Sequence, residues 1–401
     1  MYIIVIIQRL LSYHIARMTA LQKKCEDLGY RMTVIEVASQ DASYGYHEPK
    51  EMLCTSFQKI CCFSNTSYHD HRAYEINRKV FQTLSLAKPD VVFAPATPFP
   101  EGMAAVQYRM QSHCKVVIMD DAWERTDYKQ GLTRIVKKYI HKNVDAVFVP
   151  FISHQSYYER MGFPRDRIFF GVDVIDNTVF LNAMTTLKEN SAELKATLKI
   201  PNQYFLFVGR FLKRKGLETL IAAFCKYRQS QNELLWDLVL VGDGPCYQKI
   251  QLMAEGIDGI KFVGQQHGKA LHCYYSLAYG LIVPSESDPW GLVVNEGMAS
   301  GLPVIVSKGC GASALIDEGN NGWCFEPGDV SSLLQRMRQL TMMSDFARKA
   351  MGARSIDIIS NLSLERFVES VVSAANIPRR TRAGIMSNIF SKLWKGRVSI
   401  N

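Results

Sequence analysis

The sequence predicts an α/β protein of two doubly wound parallel domains, and three observations carry that expectation. Its 401 residues exceed what one core usually serves. Hydrophobic residues make up 47% of them, enough to bury two cores. Short runs rich in Val, Ile and Phe alternate with longer stretches of helical period in both halves, the pattern of right-handed strand-helix-strand crossovers.

In the first half the strand runs fall at 2–7 (YIIVII), 31–37, 90–95, 115–119 and 144–149. Between the first two, Ile15, Met18, Leu21, Cys25 and Leu28 form one apolar stripe, and Gly29 follows as a C-cap. Residues 38–75 show no clear period and take no assignment before a helix around 74–86. A polar helical stretch at 183–199 opens the second half, whose strands fall at 204–209, 237–242, 260–264, 281–284 and 303–306.

Ten cysteines lie scattered without a Cys-x-x-Cys pair and read as reduced thiols of a cytosolic protein. The opening MYIIVII reads as a first strand rather than a signal peptide, and no run is long enough to span a bilayer. Asn65-Thr-Ser67 and Asn361-Leu-Ser363 are then chance matches to a glycosylation pattern. The net charge of +9 suits nucleic acid, an anionic membrane or phosphorylated ligands, and no nucleic-acid motif supports the first.

Two stretches concentrate the charge. Lys129, Arg134, Lys137, Lys138 and Lys142 alternate with apolar residues at helical spacing. In the tail, 379–401, Arg379, Arg380, Arg382, Lys392, Lys395 and Arg397 accompany Ile385, Met386, Ile389, Phe390, Leu393 and Trp394. Such a tail lies in a membrane interface, docks on the protein, or frays.

The stretch 281–305 combines an apolar run, an acidic turn, a helix and a second apolar run. Asp288 and Glu296 stand eight residues apart across the helix start, Glu296 expected two turns in. The amides of Gly291, Leu292 and Val293 open that helix, and such a terminus attracts phosphate. Upstream, the 204–208 strand runs into Gly209-Arg210-Phe-Leu-Lys213-Arg214-Lys215-Gly216, a phosphate clamp or a solvated basic loop. Asp288 has the alternative reading of an N-cap or Asx turn before Pro289, which is compatible with a ligand role, and Glu296 that of an acid favoured by the helix dipole.

Asp288-Pro-Trp-Gly-Leu-Val-Val-Asn-Glu296 resembles the Glu-x7-Glu motif of retaining nucleotide-sugar glycosyltransferases, group 1 or family 4 of the GT-B fold, with the first acid one methylene shorter. The resemblance implies two Rossmann-like domains facing a central cleft. Their boundaries fall at 1–175 and 176–362, with helix 363–375 returning to the first. It implies that Arg210 and Lys215, matching a Gly-Arg-x4-Lys-Gly motif that starts at Gly209, neutralise the departing diphosphate. It further implies Glu296 on the ribose, Asp288 at the donor sugar, and the Val263-Gly264 loop at the base. The turn Gly309-Cys-Gly311 lines the donor pocket in the family; a tight turn without ligand is the other reading.

On the acceptor side, Ser12 and His14 follow the first strand where the family has a glycine pair, absent here. The family's His after the 115–119 strand is likewise absent, and Asp120-Asp121 stands there as an acceptor contact or a loop cap. The expected protein is a retaining hexosyltransferase without metal or cofactor, cytoplasmic and peripheral on a membrane. It would serve glycolipid or surface polysaccharide synthesis with a nucleotide-sugar donor and a glycan or lipid-linked acceptor. A nucleotide-sugar epimerase and a non-catalytic membrane-associated binding protein are the alternatives.

Overall fold

The computed structural model describes residues 1–40, 54–126, 131–188, 191–229, 235–381 and 383–398. Residues 41–53 of the unassigned segment, Lys129 of the basic stretch and Arg382 of the tail lie outside the described residues. The chain divides into two units, Met1–Val174 with Leu364–Asn401, and Ile175–Ser363.

Among the described residues the first unit holds seven parallel strands in the order β3-β2-β1-β4-β5-β6-β7. These are β1 (Tyr2–Ile7), β2 (Arg31–Gln40), β3 (Lys59–Ser67), β4 (Val91–Pro95), β5 (Lys115–Met119), β6 (Ala146–Val149) and β7 (Ile168–Phe170). Its helices are α1 (Ser12–Asp27), α2 (Ala73–Ala87), α3 (Pro100–Gln111), α4 (Leu132–His141) and α5 (Gln155–Arg160). β1 and β4 are fully apolar because the flanking helices cover both faces. The stretch without period proves to contain β3, an edge strand whose KICCFSNTS is half polar because only one side meets a neighbour.

Below β5 and β6 lies a buried ion pair. Asp145, fully buried, accepts from Arg109 Nε at 2.6 Å and Nη2 at 2.7 Å, and from the amides of Val116 and Arg380 at 2.8 and 2.7 Å. A desolvated pair of this kind is tolerated because the carboxylate's oxygens are all engaged.

Among the described residues the second unit holds six parallel strands in the order β10-β9-β8-β11-β12-β13. They are β8 (Tyr204–Val208), β9 (Asp237–Val241), β10 (Ile260–Gly264), β11 (Gly280–Val283), β12 (Val304–Ser307) and β13 (Gly322–Phe325), the last unpredicted because it is short and follows Asn-Asn. The helices are α6 (Asn177–Lys188), α7 (Ser191–Leu198), α8 (Leu217–Arg228), α9 (Tyr247–Ala254), α10 (Gly268–Leu277), α11 (Leu292–Ala299), α12 (Val330–Thr341) and α13 (Asp345–Ser360). An aromatic cluster centred on Phe205, with Trp236 at 5.0 Å and Tyr227 at 5.6 Å, packs one face of the sheet. Each such buried ring contributes about 2–3 kcal/mol by removal from water.

The chain's last two helices belong to the first unit. In α14 (Leu364–Asn376), Ser370 Oγ donates to Phe170 O at 2.7 Å, and the helix packs on α1. The tail helix α15 (Ile385–Leu393) docks rather than fraying: Phe390, Trp394 and Val398 pack on the core. Gln107 Nε2 donates to the carbonyls of Ser391 and Trp394 at 2.8 and 3.1 Å. Among the described residues, no helix is long and apolar enough to cross a membrane.

Candidate functional site

Open parallel sheets bind ligands at the carboxyl ends of strands where the strand order switches. In the second unit that point lies between β8 and β11, whose exits are the loops 209–216 and 284–291. The first loop closes in a single turn, Lys213–Lys215, ended by Gly216 at φ +67°. A Cβ there would lie 2.0 Å from Pro284 O, so glycine alone lets this loop seat on the second. Glu286 N then donates to Arg214 O at 2.8 Å, and Arg214 Nη1 to Ser287 O at 3.3 Å.

Across this seam Lys215 Nζ meets Asp288 Oδ2 at 2.5 Å, while Arg214 stands 3.7 Å from Oδ1. The two side chains of the closer pair are 14% and 9% exposed. Low exposure strengthens the attraction, so Asp288 aims and holds the cation. Its own backbone is pinned, N–H to Gly309 O and C=O to Gly311 N–H, both at 3.0 Å. Trp290 is an anchor under the turn: it is buried, and its Nε1 donates to Asn295 Oδ1 at 3.0 Å.

Gly291 caps α11 at φ +100°, where a Cβ would meet Cys310 Sγ at 2.6 Å. The first amide to donate within the helix is Val294 N, to Gly291 O, so the amides of Gly291, Leu292 and Val293 form its N-terminal face. Glu296 is the fifth residue of α11, one turn in rather than two, because the helix starts only at Leu292. Its Oε2 accepts from Tyr275 Oη at 2.5 Å, and Tyr275 is itself buried edge-on to Phe180.

The flanking loops are held by backbone bonds. Gly209 N donates to Val241 O at 3.0 Å and Gly242 N to Gly264 O at 2.8 Å, while Val263 O accepts from Gln266 Nε2 at 2.8 Å. Arg210 is half-buried at the head of its loop. At Gly309 and Gly311 the close approach is to the protein itself: added Cβ atoms would meet Glu286 O at 2.3 Å and Pro289 O at 2.1 Å. These two glycines therefore serve the packing of one loop on another.

In the first unit, Ser12 opens α1, and His14 Nδ1 accepts from Leu11 N at 3.1 Å. Burial, then the charge of Arg17, push the His14 imidazole well below its usual pKa and keep it neutral. Asp120 Oδ1 accepts from Ala122 N at 3.1 Å and Oδ2 faces Lys137 Nζ at 3.6 Å; Asp121 beside it is half-buried. Asp120 thus acts as a loop cap and ion-pair partner.

The structure joins Lys215 to Asp288 and sets Glu296 on the helix that follows, whereas Ser12, His14, Asp120 and Asp121 stand in the other unit. Sequence reasoning missed Tyr275, and Arg214 and Asn295 as partners within the site. Tyr275 carries no signal in its spacing, since only the packing of α10 and α11 on the shared helix α6 brings it to Glu296.

Two doubly wound parallel units of these strand orders constitute the GT-B architecture. Residues 190–355, nearly the whole second unit, match the family described as Glycosyl transferases group 1, as the resemblance read from 288–296 implies. Among curated relatives, the sulfoquinovosyl transferase SQD2 of Arabidopsis thaliana is 33% identical over 138 residues, 34% of this chain and 26% of that protein. The lipopolysaccharide core biosynthesis glycosyltransferase LpsD of Rhizobium meliloti is 30% identical over 151 residues, 36% of this chain and 42% of that protein. The chain thus spans less than half the length of these relatives. Anabaena Alr3699/HepE, solved in complex with UDP and glucose, superposes with a TM-score of 0.72 at 15% identity, covering 93% of this chain and 98% of that one.

Proposed function

We propose that the protein is a retaining glycosyltransferase that moves a hexose from a nucleotide-sugar donor to an acceptor hydroxyl. The observation that carries this reading is the Lys215–Asp288 contact at the β8/β11 switch point, with the α11 N-terminus and Glu296 beside it. Breaking the anomeric C–O bond leaves negative charge on the nucleoside diphosphate. Arg210, Lys215 and the amides of 291–293 supply fixed positive charge to meet it, and Glu296, held by Tyr275, receives the ribose hydroxyls. The acceptor oxygen attacks the face the diphosphate leaves, and its proton passes to a departing phosphate oxygen. No resident metal or cofactor enters this scheme.

The test is product analysis with purified protein and a panel of nucleotide sugars. Release of nucleoside diphosphate and an α-linked product from an α-linked donor are expected; a β-linked product would reject retention. Arg210→Ala, Lys215→Ala and Glu296→Ala should each cost at least about a hundredfold in kcat/KM. Turnover without acceptor to an epimerised sugar would point to an epimerase instead.

The acceptor side is read as a membrane surface bearing lipid-linked glycans. α4 and α15 pack together, with Tyr139 and Phe390 rings 5.6 Å apart, and both turn apolar side chains outward. Leu132, Ile385 and Leu393 are 81%, 79% and 75% exposed, and Lys138, Lys142 and Lys392 are exposed among them. Exposed apolar groups ringed by bases favour an anionic lipid interface. Flotation with phosphatidylglycerol-containing vesicles is expected, and its absence would reject the membrane reading.

A further inference from the structure

A cavity of about 690 Å³ opens in the first unit between α2, α3 and the tail helix α15. Among the described residues its wall carries Arg78, Arg109, Arg379, Lys392 and Lys395, and no Asp or Glu. Arg109 is neutralised by Asp145, and Arg379 Nη2 donates to the carbonyls of Arg109 and Ser112 at 2.7 and 2.9 Å. Lys395 Nζ reaches Gln107 Oε1 at 3.3 Å, a neutral acceptor. Arg78 and Lys392 are exposed at the rim. A concave site of this charge, within the usual size of small-ligand sites, selects an anion larger than a bare ion.

A second observation concerns what adjoins it. Asn388 and Lys392 line the cavity one helical turn apart, and Ile389 and Leu393 follow each of them by one residue, with Ile385 a turn earlier. At 3.6 residues per turn, the exposed apolar stripe of α15 therefore runs beside the cavity's basic edge. Apolar side chains at acyl depth with long basic side chains at phosphate depth is the arrangement of an interfacial helix.

We propose that this cavity binds the phosphate and glycerol headgroup of an anionic phospholipid, seating the first unit on the membrane through Arg78, Lys392 and Lys395 while Ile385, Ile389 and Leu393 enter the acyl layer. The proposal rests on the membrane reading above and adds a headgroup site to it.

The test titrates the full chain calorimetrically with monomeric dihexanoyl-phosphatidylglycerol. Saturable binding of one lipid per chain is expected, weakened roughly thirtyfold in the Arg78→Gln/Lys392→Gln variant. Unchanged binding in that variant overturns the proposal. Inorganic phosphate displacing the lipid at equal affinity also overturns it, marking a free-phosphate site. Flotation separates the two readings: wild-type chain and variant floating equally well with anionic vesicles would remove the headgroup site and leave the membrane reading standing. Failure of the wild-type chain to float would remove both. An unchanged thermal midpoint shows that the variant is folded.

Discussion

Lys215 and Asp288, 73 residues apart in the chain, meet at 2.5 Å where the loops leaving β8 and β11 close on each other. Asp288→Asn keeps the shape and removes the charge that aims the ammonium. The expected loss is about 1–2 kcal/mol of stability, small because the lysine keeps some access to water, and at least tenfold in kcat. Urea denaturation and donor turnover measure both. Asp288→Glu, which retains the charge, should recover part of the turnover; recovery by Asn instead would show that the charge is not what matters.

Tyr275→Phe deletes the hydroxyl that donates to Glu296 at 2.5 Å. Bonds to an ionised carboxylate contribute about 1.5–3 kcal/mol, so nucleoside diphosphate should bind roughly tenfold or more weakly by calorimetry. An unaltered Kd would mean that Glu296 holds its place without the tyrosine.

Two glycines with similar backbone angles separate conformational strain from collision. Gly216 (φ +67°) faces Pro284 O, whereas Gly256 (φ +75°) has open space where a Cβ would go. Alanine at 256 should cost about 1 kcal/mol, for left-handed backbone alone, and alanine at 216 about 3 kcal/mol. Equal chemical denaturation midpoints for the two variants would refute the seam between the loops.

Glu101, at the start of α3 beside the first unit's own β1/β4 switch point, is fully buried and accepts from Tyr68 Oη at 3.0 Å. Burial pushes its carboxyl up to about 7. Because the folded chain binds this proton more tightly than the unfolded chain, its stabilising effect is complete below about pH 4.5 and lost as pH rises through 7. Glu101→Gln should therefore match wild type near pH 4.5 and exceed it by roughly 3 kcal/mol at pH 8. A wild-type advantage at pH 8 would contradict the sign.

The two sheets were legible because strands covered on both faces, such as YFLFV and YIIVII, are continuous apolar runs. β3 was not, since an edge strand carries little periodic burial and its identity rests on pairing with β2. Lys215 and Asp288 were each nominated separately, but their contact depends on β8 and β11 being neighbours, a matter of sheet order. In the tail, the apolar residues named together in the sequence fall on two faces of one helix: Phe390 and Trp394 face the core, while Ile385, Ile389 and Leu393 face away from it.

Asp145 draws its fourth hydrogen bond from the amide of Arg380, so the core ion pair is finished by the last stretch of the chain. Cutting the chain at Pro378 would strip that bond and bare the surfaces that Phe390, Trp394 and Val398 cover. A C-terminal truncation is accordingly a core lesion.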